Sequence, residues 1–185
     1  LPHVMAAKGV AFTEANLPEF KDYARRIVAN AHALAEACMA ECMDVVSGGT
    51  ENHLMLIDVR SFGITGRQAA GAMIACNVTL NKNTTPFDPN GAISTSGLRI
   101  GTPAVTTLRM TVEDMKEIAA IIRLVLSHTK PGVIASRPNA GKPSKAVFEL
   151  EESAGEEARG RVKTLLDRYP VYPELDLGFL QEHFG

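Results

Sequence analysis

The spacing of apolar residues predicts several helices. Over residues 18–42 they recur every three or four positions, which places them on one face of a long amphipathic helix. Pro18 suits the first turn of this helix, because a first turn leaves its N–H groups unpaired and proline has none. The same spacing predicts helices over residues 65–76, from Thr111 onward, and over about 153–169.

Two short patterns mark helix beginnings. Thr65 and Gln68 fit a capping box, in which the first and fourth residues satisfy each other's backbone N–H groups. Thr111 and Asp114 have the same spacing. We therefore expect Thr65 and Thr111 to stand immediately before their helices.

Short apolar runs predict strands between the helices. Residues 53–59, with the sequence HLMLIDV, predict a strand that is buried on both faces. Shorter runs at 44–46, 78–80 and 98–100 predict three more strands. Short strands that alternate with helices predict an α+β domain of two layers, with the helices on one side of the sheet.

Two stretches of the chain lack apolar periodicity. Residues 81–97 are rich in Asn, Thr, Pro, Gly and Ser, and a loop of this length in a compact domain is usually either functional or disordered. Residues 129–147 contain several prolines and glycines, so we expect either an exposed irregular connector or a variable insertion there.

Composition narrows the class of protein. The 185 residues are 45% hydrophobic and 22% charged, which is typical of one globular domain and excludes a disordered chain. The net charge is −2, so we expect no nucleic-acid partner. No apolar run approaches the roughly 18 residues of a membrane span, so we expect no membrane partner. The three cysteines, an odd number without compact spacing, favour a reducing compartment and hence a cytoplasmic protein.

The beginning of the chain is informative as well. It opens at Leu1 without a methionine or a signal-peptide pattern. Its first ten residues already have the character of folded protein. We therefore expect this chain to be a fragment whose upstream part is missing.

Arg99 is the strongest candidate for a ligand-binding residue. It lies in the segment TSGLRIGTP, where small residues and glycines flank a single arginine. A guanidinium group forms two parallel hydrogen bonds to a carboxylate or phosphate, and flanking glycines let a ligand approach the backbone. The alternatives are an arginine paired with a structural acid, or one that is simply exposed.

The long loop holds two weaker candidates. Asn83, in the segment NKN, offers both a donor and an acceptor to the edge of a heterocycle, although asparagine also simply ends strands. Gly91, Ala92 and Ile93 lie deeper in the loop, where they either line a pocket or let the loop turn.

Other chemistry is not supported by the sequence. No G-x-G-x-x-G motif follows a strand, and no Cys/His spacing matches a structural zinc site, so we expect no dinucleotide and no metal. His53 and Lys8 are interpreted as structural residues, and Cys38 and Cys42 as buried, small apolar ones.

Six segments together resemble the serine hydroxymethyltransferase family. They are HVMAAKGVAF, VVSGGTENHLMLIDV, ITGRQA, NVTLNKNTTPFDP, TSGLRIGTPAVT and RYPVY, in the family's order from about residue 3 to 172. The resemblance implies the small, two-layer C-terminal domain of a fold-type I pyridoxal-phosphate enzyme, of the aspartate-aminotransferase superfamily. It also implies three parts: the end of the large cofactor-binding domain over 1–15, the small domain over 16–173, and a tail over 174–185.

The resemblance implies residue roles. Arg99 matches the arginine that binds the substrate carboxylate, and Asn83 the asparagine that faces the pterin ring of folate. Gly91, Ala92 and Ile93 match a segment of the folate site, where the family often has residues like Ser-Pro-Phe. No catalytic residue is expected within this chain, because the family's Schiff-base lysine lies in a Thr-rich, His-Lys-containing motif that this sequence does not contain.

The resemblance also implies a reaction and partners. The enzyme would convert serine and tetrahydrofolate reversibly into glycine and 5,10-methylenetetrahydrofolate, with pyridoxal 5'-phosphate as cofactor. It would act as a homodimer or homotetramer. Two alternatives stay open from the sequence: another pyridoxal-phosphate aminotransferase or aldolase that uses no folate, and a non-catalytic assembly domain.

Overall fold

The computed structural model describes residues 1–134, 140–173 and 175–184 and shows an α+β arrangement with small sheets. The helices are α1 (Pro2–Ala15), α2 (Pro18–Ala40), α3 (Gly66–Ala75), α4 (Gly91–Ser94), α5 (Pro103–Thr107), α6 (Val112–Ser127), α7 (Glu152–Asp167) and α8 (Leu177–Phe184). The strands are β1 (Asp44–Val45), β2 (Leu54–Asp58), β3 (Asn81–Asn83), β4 (Gly97–Gly101), β5 (Thr129–Val133) and β6 (Pro143–Leu150).

Four helices lie where the apolar spacing predicts them, whereas no helix was predicted over α1. These are α2, α3, α6 and α7, and their ends differ from the predicted ones by a few residues at most. At α3 the capping box is confirmed, since the Thr65 N–H donates to Gln68 Oε1 at 2.8 Å and the Gln68 N–H donates to Thr65 Oγ1 at 3.2 Å. At α6 the Asp114 carboxylate accepts from the Thr111 N–H at 2.8 Å.

The main sheet is antiparallel and has the strand order β1-β2-β4-β3. One face is buried and carries Met55, Ile57, Leu98 and Ile100. The opposite face carries Leu54 and Leu56, which are only half-buried. The expectation that this strand is buried on both faces is therefore wrong: at Leu54 and Leu56 the second face, here named the open face, is not fully covered by any described part of the chain.

The core lies between the buried face of the sheet and the helices. Helix α2 packs on α6, and α6 in turn contacts α7 and α3. Their fully buried side chains include Leu34 and Cys38 of α2 and Met73 of α3, together with Met115, Ile122 and Leu126 of α6. This packing fixes the sheet and leaves the open face free to carry a site.

The stretch predicted as an irregular connector over 129–147 is largely a β-hairpin, so that prediction is wrong. Strand β5 pairs antiparallel with β6, and inward and outward positions alternate along β6. The Phe148 ring lies over Gly71 of α3, where a Cβ atom would stand only 2.6 Å from the ring. The prolines and glycines hid this alternation. Residues 135–139 lie outside the described residues.

Other short elements also differ from the sequence-based expectation. The strand expected at 78–80 lies instead at Asn81–Asn83, and α4 occupies part of the loop expected over 81–97. Helix α1 has no buried residue, whereas α2 has several. Among the described residues, no helix combines the length and the apolar character needed to cross a membrane.

Candidate functional site

Arg99 lies in the middle of β4, on the open face of the sheet. It is paired with Leu56 of β2 on one side and with Asn81 of β3 on the other. Its side chain is exposed and has no hydrogen-bond or ion-pair partner among the described residues. A hollow of about 350 Å³ beside it is lined by residues that include His53, Leu54 and Asn81. The arginine is thus a positive group available to an anion.

The acidic residue that lies nearest to Arg99 in the sheet register is already paired with another arginine. Asp58, opposite Gly97, is buried and accepts two hydrogen bonds from Arg60 Nε, at 3.0 and 2.8 Å. These hydrogen bonds raise the pKa of Arg60 above its usual value, and the charge of Asp58 raises it further. The Asp58–Arg60 pair therefore leaves the charge of Arg99 uncompensated.

The two glycines that flank Arg99 differ in how closely the protein packs around them. A Cβ atom at Gly97 would lie 2.8 Å from Thr85 Cγ2 and 3.0 Å from the Asn83 carbonyl oxygen. At Gly101 the closest atom would be the His53 carbonyl oxygen, at 3.3 Å. The space at Gly97 is thus filled by the protein itself, and this glycine is needed for packing.

Asn83 lies on the same open face as Arg99. It is paired with Gly97, which stands two residues before Arg99 on β4, and side chains two apart on a strand share a face. Asn83 is half-buried, and its Nδ2 donates to the Thr84 carbonyl oxygen at 2.8 Å. Diagonal neighbours of this kind stand roughly 7–8 Å apart, close enough for both to contact one ligand of moderate size.

Gly91, Ala92 and Ile93 form the exposed crest of the loop between β3 and β4. Gly91 has φ +65°, a conformation that glycine adopts without strain, and nothing lies within 4 Å of its Cβ position. Ile93 is 73% exposed, which is unusual for an isoleucine. The Ala92 carbonyl oxygen accepts a hydrogen bond from Lys82 Nζ at 3.2 Å.

Asp88 organises this loop, and sequence reasoning missed it. Its carboxylate accepts from the Thr85 and Asn90 N–H groups at 3.1 and 2.8 Å, and from the Ser96 N–H and hydroxyl, both at 2.7 Å. Partial burial raises the pKa of Asp88, but these hydrogen bonds outweigh it and lower the pKa to about 2. The segment Phe-Asp-Pro-Asn was a usable signal, because Asp before Pro often binds backbone groups in turns.

Of the remaining candidates, His53 lines the hollow beside Arg99, whereas Lys8 and the two cysteines of residues 38–42 lie in other parts of the fold. Lys8 is exposed on α1, and His53 is exposed at the start of β2. Cys38 is buried as expected, but the interpretation of Cys42 as buried is wrong, because Cys42 lies beyond the end of α2 and is exposed. Across residues 1–134, 140–173 and 175–184, no three His, Cys, Asp or Glu side chains are grouped so as to hold a metal ion.

An α+β domain that presents an unpaired arginine, a neighbouring asparagine and an exposed loop crest is suited to a small anionic ligand. The comparisons with known proteins identify the family. The family model for serine hydroxymethyltransferase matches residues 1–122. The chain belongs to the serine hydroxymethyltransferase family.

Curated relatives agree over the whole chain. A serine hydroxymethyltransferase of Treponema pallidum (strain Nichols) is 53% identical over 184 residues, covering 100% of this chain and 31% of the relative. One from Salinispora tropica is 47% identical over 178 residues, covering 96% of this chain and 36% of the relative. One from Chlamydia abortus is also 47% identical, covering 96% of this chain and 35% of the relative. The chain thus spans about a third of the length of these relatives.

Proposed function

We propose that this chain is the C-terminal part of a serine hydroxymethyltransferase that binds the amino-acid substrate and part of tetrahydrofolate. The observation that carries the proposal is the exposed, unpaired Arg99 on the open face, in a chain that belongs to this family. The reaction is the reversible conversion of serine and tetrahydrofolate into glycine and 5,10-methylenetetrahydrofolate. The family match favours this reaction over that of a folate-independent aminotransferase or aldolase.

Arg99 binds the carboxylate of serine or glycine in this proposal. Its guanidinium group forms two parallel hydrogen bonds to the two carboxylate oxygens, which fixes both the position and the rotation of the substrate. Because β4 is a central strand held by β2 and β3, the base of this side chain is rigid. A rigidly held carboxylate sets the direction of the bonds at the α-carbon, and such orientation lowers the reaction barrier considerably.

Asn83 and the 91–93 crest bind the folate. Asn83 offers an amide to the edge of the pterin ring, which carries both donors and acceptors. Gly91, Ala92 and Ile93 contribute backbone groups and an exposed apolar side chain. Where other members have residues like Ser-Pro-Phe, this chain supplies no aromatic ring, so its contacts there are backbone and aliphatic ones.

The described residues fit the substrate better than they fit the cofactor. Lys82 is the lysine on the strands beside Arg99, but it is paired with Leu98 and so points to the opposite face, where its amine is bonded to Ala92. We therefore assign the anchoring lysine of pyridoxal phosphate to another part of the complete enzyme. When bound, that cofactor supplies an electron sink for the charge that develops at the α-carbon.

The domain organisation is part of the proposal. Residues 1–15 belong to the large domain, residues 16–173 form the two-layer small domain, and residues 174–185 are the tail. The exposed apolar side chains of α1, such as Met5 at 72% and Phe12 at 69%, support packing of this helix against protein outside the small domain. The complete enzyme is a homodimer or homotetramer.

The test is serine-to-glycine conversion by the complete enzyme with pyridoxal phosphate, measured with and without tetrahydrofolate. We expect strong conversion that depends on tetrahydrofolate, and no conversion by the 185-residue chain alone. Conversion that ignores tetrahydrofolate would favour a folate-independent enzyme of the same superfamily. No conversion under either condition would overturn the proposal.

A further inference from the structure

The loop that carries the 91–93 crest is closed by one side chain. Asp88 binds the N–H of Thr85, where the loop leaves β3, and the N–H and hydroxyl of Ser96, where it joins β4. It also binds the N–H of Asn90, immediately before the crest. The beginning, middle and end of the loop therefore meet at one carboxylate.

The other polar side chains of the loop contribute little to holding the crest in place. Among the described residues, the hydroxyl oxygens of Thr85 and Thr95 are buried without a hydrogen-bond partner. Asn90 donates to Ser96 Oγ at 3.0 Å, but this bond joins two groups that Asp88 already holds. Lys145 of the hairpin donates to Asn90 Oδ1 at 3.0 Å at an exposed position, where such contacts are weak.

Ser96 connects the loop to the rigid part of the fold. It is fully buried, and its carbonyl oxygen accepts from the Val59 N–H at 2.9 Å, just after β2. The hydrogen bonds of Asp88 therefore fix the position of the crest relative to β2 and β4. Without Asp88, four donors lose their acceptor. The loop then keeps the exposed lysine contacts at Ala92 and Asn90, and the hydrogen bond from the Gly66 N–H to the Thr95 carbonyl oxygen at 3.0 Å.

We propose that Asp88 is the positioning residue of the folate site, holding the 91–93 crest at a fixed position relative to β3 and β4. This inference rests on the proposed function, because it assigns the crest to folate. Asp88 contacts no ligand itself: it acts by preorganising the crest, which removes the cost of ordering the loop on binding. Loss of this carboxylate therefore weakens binding of tetrahydrofolate and spares binding of the amino acid.

The experiment is calorimetric titration of the complete enzyme with tetrahydrofolate, together with the KM for serine. In Asp88→Ala we expect the Kd for tetrahydrofolate to rise about tenfold, with less than about a twofold change in the KM for serine. Asp88→Asn keeps one acceptor oxygen, so we expect an intermediate rise. If Asp88→Ala does not fold, the Kd of Asp88→Asn for tetrahydrofolate tests the inference instead.

Asp114→Asn is the matched control. Asp114 likewise accepts from a backbone N–H, at Thr111, and from the Tyr169 hydroxyl at 2.7 Å, but it begins α6 and not the loop. We expect this variant to lose stability with an unchanged Kd for tetrahydrofolate. A folded Asp88→Ala enzyme with the wild-type Kd would overturn the inference and leave the proposed function intact. A wild-type enzyme that does not bind tetrahydrofolate would instead overturn the proposed function, and the inference with it.

Discussion

Arg99 and Asn83 share the open face of the sheet because the register pairs Arg99 with Asn81 and Asn83 with Gly97. The two side chains are diagonal neighbours on adjacent strands. In the proposed site this places the carboxylate-binding group beside the folate-binding group, so that both substrates approach the same face of the sheet. Five predictions follow from this arrangement and from the packing around it.

Arg99→Lys in the complete enzyme should lower kcat/KM for serine by roughly 10- to 100-fold. A lysine keeps the charge but loses the forked pair of hydrogen bonds, and a hydrogen bond to a charged group contributes about 1.5–3 kcal/mol. Steady-state kinetics measures the effect. Arg26→Lys, the same change at an exposed position of α2, should leave the kinetics unchanged. Wild-type kinetics in Arg99→Lys would remove Arg99 from the site.

Asn83→Ala should raise the KM for tetrahydrofolate about five- to tenfold and leave the KM for serine close to its wild-type value. The variant loses one or two neutral hydrogen bonds, each of which contributes about 0.5–1.5 kcal/mol. Separate titrations of the two substrates distinguish the effects. Asn16→Ala, between α1 and α2, is the control. An equal rise in both KM values would point to a general structural role of Asn83.

Gln68→Ala should lower the free energy of unfolding by about 3 kcal/mol, because buried carbonyl groups lose their donor. Gln68 is 1% exposed, and its Nε2 donates to the carbonyl oxygens of Ser144 and Val147 at 2.7 and 2.8 Å. Urea denaturation measures the loss. Gln181→Ala, on exposed α8, should change stability by less than about 0.5 kcal/mol. A similar small change in Gln68→Ala would show that the hairpin is not held by this side chain.

The acid titration of Asp88 should depend on Ser96. The folded-state pKa of Asp88 is lowered to about 2, so its contribution to stability is present above its ordinary pKa and is lost as the pH falls toward 2. Ser96→Ala removes a hydroxyl that donates to the carboxylate, so we expect the pKa of Asp88 to rise toward its ordinary value. We also expect a smaller loss of stability over the same pH interval.

Carbon-13 NMR of the Asp88 carboxyl group measures this pKa directly. Ser153→Ala serves as the control, since the Ser153 hydroxyl donates to Glu151 at the beginning of α7. An Asp88 pKa that is identical in wild type and Ser96→Ala would contradict the hydrogen-bond explanation.

Cys42 should react with an aromatic disulfide reagent at neutral pH far faster than the other two cysteines. Burial, together with the nearby Glu41 charge, raises the pKa of Cys38 to about 12, and burial also raises the pKa of Cys76. Both thiols are thus protonated and shielded, whereas Cys42 is exposed. One thiol should be modified in the folded protein and all three in denaturant. Cys42→Ser should abolish the fast phase, and rapid modification of every thiol in the native protein would contradict the burial.

The sequence predicts helices α2, α3, α6 and α7 well because each contains a local signal of its own, whereas α1 has no such signal and was not predicted. In α2 and α6 the apolar spacing spans several turns, and at α3 the capping box gives the beginning of the helix. These are local signals that do not depend on the rest of the fold. Strand β4 was also predictable, since its apolar residues are bounded by glycines.

The errors arise where structure depends on distant partners. Strand β3 is polar and lies at the edge of the sheet, so its pairing with β4 leaves no apolar pattern to find. The hairpin is stabilised by Gln68 and Gly71 of α3, far away in the sequence. The sequence singled out Arg99 and Asn83 separately, but only the register shows that they share a face. Likewise, only the fold shows that four donors meet at Asp88.

The contact between Gly71 and Phe148 restricts which substitutions this chain can accept during evolution. The ring occupies the volume that any side chain at position 71 would need, so a larger residue there would have to displace the ring and the hairpin with it. We therefore expect positions 71 and 148 to change together in evolution. A bulkier residue at position 71 is tolerated only where the residue at position 148 is already smaller. Related chains that retain the hairpin should show this compensation at both positions together, and chains that have lost it should vary freely at 71.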